Sequence, residues 1–196
     1  RIRQGLSGAL LILGGTSKRQ IKLAAAMAAA MMALAAAPSA EAQTGVAFGI
    51  GPSVAVPTGD FGEFAKMGIG GGAGIVIRPN GSQLGVRATV GYHQFSEDGG
   101  ADGAPKATNV TPMAGLTYSL TSSGSVTPYV HGSAGLMMQS YDGDSESAFG
   151  FGGGAGLVFG TGSTRVFVEA AYVTASKNGG TTSYMPVTAG VTLRLK

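Results

Sequence analysis

Leu84-Gly85-Val86-Arg87-Ala88-Thr89-Val90-Gly91-Tyr92-His93-Gln94-Phe95 alternates without a break. Leu84, Val86, Ala88, Val90 and Tyr92 form one set, and Gly85, Arg87, Thr89, Gly91 and His93 the other. A period of two sends successive side chains to opposite faces of an extended chain, so this stretch reads as a strand with one apolar face. Seven more segments repeat the pattern: Val46 to Val56, Ile69 to Arg78, Asn109 to Leu120, Val126 to Tyr141, Ala148 to Phe159, Arg165 to Thr174, and a last one from Met185 onward. No stretch after residue 42 sustains a helical period.

The connectors differ in length. Pro57 to Gly68, Ser96 to Ala107, Asp142 to Ser147 and Ala175 to Thr182 are long or polar, whereas Pro79 to Ser82, Thr121 to Ser125 and Gly160 to Thr164 are short and turn-like. With both termini on one side, all four longer connectors fall on the other. Eight antiparallel strands joined in this way predict an all-β, up-and-down transmembrane barrel.

Residues 18 to 42 read as a secretory signal: Lys18, Arg19 and Lys22, the apolar run Leu23 to Ala37, then Pro38-Ser39-Ala40-Glu41-Ala42. Ala40 and Ala42 supply the small side chains of a cleavage site, which places the mature start at Gln43. The apolar run is shorter than the roughly 18 residues a spanning helix needs. Residues 1–17 precede the basic stretch and are read as lying upstream of the true start. The leader through residue 42 carries five basic residues against Glu41, while residues 43–196 carry 8 basic and 9 acidic residues, a net −1. The excess positive charge thus belongs to the leader, and no nucleic-acid footprint is expected. With no Cys in the chain, a disulfide scaffold, a Cys-ligated metal and a lipid-carrying Cys are excluded.

Two closed barrels compete. A soluble one, secreted and ligand-binding, shows water its polar face; a membrane one shows lipid its apolar face and keeps polar groups inside. Across the eight segments the apolar face holds no Asp, Glu, Lys or Arg. The opposite face is mostly Gly, Ala, Ser and Thr, and the chain is only 12% charged, against about 25–35% for the surface of a small soluble domain. Small side chains suit the crowded interior of an eight-stranded ring. The membrane barrel is therefore the expectation, with no cofactor.

The run Gly51-Pro52-Ser53-Val54-Ala55-Val56-Pro57-Thr58-Gly59-Asp60-Phe61-Gly62, the segment Thr127-Pro128-Tyr129-Val130 leading to Gly135-Leu136, Phe167-Val168-Glu169-Ala170, and Met185-Pro186-Val187-Thr188-Ala189-Gly190-Val191 together resemble the outer-membrane β-barrel domain family, the small OmpA/OmpX-like barrels of Gram-negative bacteria. The likeness covers residues 43–196. It implies an integral outer-membrane protein whose partners are outer-membrane lipids, lipopolysaccharide and the barrel assembly machinery. The ending Leu193-Arg194-Leu195-Lys196 departs from the aromatic last residue that this machinery reads in such chains.

Four constellations are candidates for more. Arg87, Glu169 and Arg194 lie on the inward set and form a predicted lumenal charge cluster, with Arg87 and Glu169 either paired directly across the ring or separately solvated by trapped water. His131 and Ser133, two apart on one face, have a flavour of nucleophilic catalysis that Glu169 would complete. Lipid A deacylases of eight-stranded form use His and Ser at this spacing, but facing the membrane, so the plain expectation is a hydrogen-bonded polar pair and no enzyme. Asp142, Asp144 and Glu146 alternate as Ca²⁺ ligands do, without the rest of the EF-hand pattern. A solvated acidic loop is the expected reading. An apolar cleft beside Tyr129, Met137 and Phe167 would serve a narrow channel or a carrier of small apolar molecules. The leading expectation is a structural or surface-interaction role with a closed lumen, through loops whose surface partner is unknown. A general porin is not expected, since water-filled channels come with about 16 to 18 strands.

Overall fold

The computed structural model describes residues 44–63, 65–79, 81–96, 107–141, 144–177 and 180–195. The predicted leader with Ala40 and Ala42, most of the Ser96–Ala107 connector and Asp142 lie outside them. Eight strands form a closed barrel in chain order: β1 (Thr44–Thr58), β2 (Gly68–Pro79), β3 (Leu84–Phe95), β4 (Ala107–Ser119), β5 (Val126–Tyr141), β6 (Asp144–Phe159), β7 (Thr164–Lys177) and β8 (Gly180–Leu195). Every neighbouring pair is antiparallel, and β8 returns to β1, with Val46 opposite Leu195 and Val56 opposite Met185. Closure leaves no free sheet edge along the wall, which a bilayer demands because it offers backbone groups no water.

The alternation settles which way each face points. Ile50 on β1, Val86 on β3, Leu116 on β4, Phe149 and Phe151 on β6, Val166 on β7 and Leu195 on β8 are all at least half exposed on the outside. Arg87, His93, Thr111, Thr117 and Thr192 are buried within. A soluble barrel would have this arrangement inverted. Met138 is an exception: it belongs by parity to the outward set, yet only 4% of it is exposed.

At the end holding Thr44 and Leu195, the three tight turns each contain a glycine with positive φ, Gly81 at 75°, Gly124 at 125° and Gly160 at 107°. Only glycine adopts that conformation without steric cost. We call this the turn end and its opposite the loop end.

The loop end corrects the sequence expectation. Asp142–Ser147 and Ala175–Thr182 are not loops for most of their length: β5 and β6 stay paired up to Tyr141 and Asp144, and β7 and β8 up to Lys177 and Gly180. In these ribbons Asp144–Ser147 and Ser176–Thr182 carry few apolar residues on either face, so the contrast that marks a strand in sequence disappears. The β1–β2 connector holds a 3-10 helix, Gly59–Glu63, which buries Phe61.

Candidate functional site

The middle of the lumen is spanned by a charge network. Arg87 on β3 and Glu169 on β7 stand four strands apart in the eight-stranded ring, and the guanidinium reaches across to donate from Nη1 to Oε2 at 2.9 Å and from Nη2 to Oε1 at 3.1 Å. Tyr129 on β5 donates its hydroxyl to the same Oε2 at 2.8 Å. Two parallel N–H···O bonds fix the planes of both groups, the strongest form of this pair. The strand opposite Tyr129 makes room for it. Gly156 on β6 faces the phenol ring, and Gly152 faces the Met113 sulfur and the Ser133 hydroxyl, so a Cβ at either would crowd them.

Arg194 is not part of this network. It sits one residue from the end of β8, at the turn end, with Arg78 near the end of β2 and Arg165 near the start of β7. The expected three-residue cluster therefore divides into a neutralised pair at mid-lumen and a separate basic group at the mouth. The physical reason is reach: Glu169 stands opposite Thr188 on β8, six residues from Arg194, or about 20 Å along the strand.

His131 and Ser133 share the lumen but do not engage. His131 Nε2 lies 3.4 Å from Glu169 Oε1, without hydrogen-bond geometry, and neither ring nitrogen has a hydrogen-bond partner. Ser133 donates instead toward the Gly152 carbonyl at 3.4 Å. A nucleophile needs its base within hydrogen-bond reach, and this pair lacks that contact. The Ser–His bond that does form joins residues forty positions apart, Ser53 Oγ and His93 Nε2 at 2.7 Å. No local motif signals it, since it depends on β1 and β3 flanking β2. With His93 Nδ1 unpartnered, the carboxylate that would orient the ring is missing there too.

Above His93 three aromatic rings pack together toward the loop end. Phe61, Phe95 and Tyr184 are 3%, 0% and 0% exposed; Phe95 meets Phe61 edge-on at 5.0 Å and Tyr184 at 5.3 Å between ring centres. Met137 packs into this cluster and not beside Tyr129 and Phe167, which line the lumen below. The expected apolar cleft is therefore not assembled from those three. What remains inside is a cavity of about 200 Å³. Asp144 and Glu146 sit on the β6 ribbon, not in a loop, and among the described residues no group of three His, Cys, Asp or Glu is placed to hold a metal.

A closed, apolar-skinned barrel with a polar lumen has counterparts. The family model described as outer membrane protein beta-barrel domain matches residues 23–194. The chain belongs to that family. The match begins inside the apolar run of the predicted leader, earlier than the 43–196 range of the sequence resemblance. No curated protein matches the chain. Among solved structures, Neisserial surface protein A is similar at 16% identity and TM-score 0.57, covering 78% of this chain and 97% of that one. Ail, the attachment invasion locus protein of Yersinia pestis, solved with the heparin analogue sucrose octasulfate, is similar at 16% identity and TM-score 0.50, covering 80% and 100%. As a member of the outer-membrane barrel family, this chain crosses the outer membrane of a Gram-negative bacterium with its eight strands.

Proposed function

We propose that this barrel serves the envelope as a structural or surface-interaction protein with a closed lumen, and not as a channel or an enzyme. The supporting observation is the pair of obstructions in series: the Arg87–Glu169–Tyr129 bridge at mid-lumen and the Phe61–Phe95–Tyr184 cap above it. Export proceeds through the leader cleaved after Ala42, the termini stay in the periplasm, and the β5–β6 and β7–β8 ribbons stand outside, as is usual for outer-membrane barrels. Lipopolysaccharide and lipid surround the wall, and the assembly machinery inserts it. Two barrels of this fold are named as a surface protein and an attachment protein, which agrees with a role carried by the exposed end.

The test is twofold. Purified barrel that shifts in gel mobility on boiling, and that gives no discrete conductance steps in planar bilayers, supports the reading. Steady conductance in the wild type overturns the closed lumen. Altered lipid A acylation after deletion of the gene overturns the non-enzymatic role.

A further inference from the structure

Among the described residues, the inner face of the wall carries four guanidiniums, Arg78, Arg87, Arg165 and Arg194, and one carboxylate below the loop-end ribbons, Glu169. Glu169 is committed to Arg87. The other three arginines gather at the turn end, and among the described residues none has an acidic partner.

Their placement follows from the register. Arg78 on β2 stands opposite Gly45 on β1, Arg194 on β8 stands opposite Ala47, and Arg165 on β7 stands opposite Thr192 on β8. The three side chains thus flank a floor of small β1 residues. Phe167 packs over Gly49 one step further in and gives the floor an apolar back wall. Arg78, Arg165 and Thr192 line the cavity at this mouth, and Arg194 is exposed at its rim. The three charges repel one another. The Nε atoms of Arg78 and Arg165 are buried with no acceptor. A buried donor without a partner and a concentration of like charge both favour an anion that would satisfy them.

We propose that the turn end of the lumen is an anion-binding site in which Arg78, Arg165 and Arg194, with the Thr192 hydroxyl, hold a phosphate group entering from the side of the chain termini. Guanidinium forks bind phosphate oxygens two at a time, and three forks on β7, β8 and β2, around the β1 floor, can surround one group. The phosphate belongs either to a soluble periplasmic compound or to a phospholipid headgroup of the inner leaflet.

The experiment is calorimetric titration of pyrophosphate into the full barrel, once in maltoside micelles, which carry no phosphate, and once in nanodiscs containing phosphatidylglycerol. Saturable binding is expected in the micelles. It is weakened about tenfold by R194Q, an exposed strand-end change that leaves the fold intact, the equivalent of one charge-assisted hydrogen bond. R165K, which keeps the charge and loses the fork, weakens it as well. Binding retained with phosphatidylglycerol identifies a soluble ligand; binding lost there identifies the headgroup. Absence of saturable binding in the micelles, or affinity unchanged in both variants, overturns the site.

Discussion

Arg87 and Glu169, 82 positions apart in sequence, face each other across the barrel and share two hydrogen bonds. The side chains are 10% and 16% exposed, so each depends on the other for its counter-charge. Removing either by R87A or E169A leaves an uncompensated buried charge and is expected to cost about 3–5 kcal/mol. The exchanged variant R87E/E169R restores much of it. Urea unfolding of the detergent-folded barrel reads the difference; equal losses in the single variants and the exchange would show that the two charges are separately solvated.

The aromatic cap predicts a second measurement. F95A removes a fully buried ring and is expected to cost about 3–5 kcal/mol. F61A, on a 3-10 helix outside the wall, lowers stability less, because the surrounding connector closes over part of the space. Under the proposed closed lumen, Arg87–Glu169 is expected to keep both variants free of conductance; currents in F95A would place the obstruction in the cap alone.

Gly115 and Gly132 are neighbours on β4 and β5 with opposite tolerance. A Cβ on Gly115 would run into the Gly132 carbonyl oxygen, whereas one on Gly132 points into open space. G115A is therefore expected to destabilise by about 1–3 kcal/mol through forced strand separation, and G132A by no more than about 0.5 kcal/mol. The unfolding midpoints of the two variants, measured side by side, decide it.

Val168 tests the outward face. It is 42% exposed on β7, directly beside inward Glu169 in sequence. V168R places a cation in hydrocarbon and is expected to destabilise by about 2–4 kcal/mol in bilayer, the cost for a midplane position. A neutral result in phospholipid vesicles would mean that this surface meets water.

The strands were legible in the sequence wherever one face meets lipid and the other the lumen. Leu84–Phe95 and Val126–Tyr141 begin and end where the alternation does. Asp144–Ser147 and Thr181–Ser183 were not legible as strand, because a ribbon standing in water has no apolar face to mark it. Phe61 was hidden for a related reason: it lies in a connector with no period, and its burial depends on where Phe95 and Tyr184 meet it. Arg87 and Glu169 could be singled out from sequence as candidates for a pair, since few charges lie inside, but the sequence left open whether they meet or are solvated separately. Ser53 and His93 could not, because only the order of strands around the ring brings them together.

The glycine-lined inner side of β6 makes the interior lopsided. Tyr129 and Met113 reach over Gly156 and Gly152, so that wall contributes backbone and space while its neighbours contribute bulk. Anyone boring a pore through this scaffold would find the shortest route eccentric: trimming Tyr129 and Met113 opens a duct along one strand, and a translocating molecule would slide past peptide groups on that side and side chains on the other.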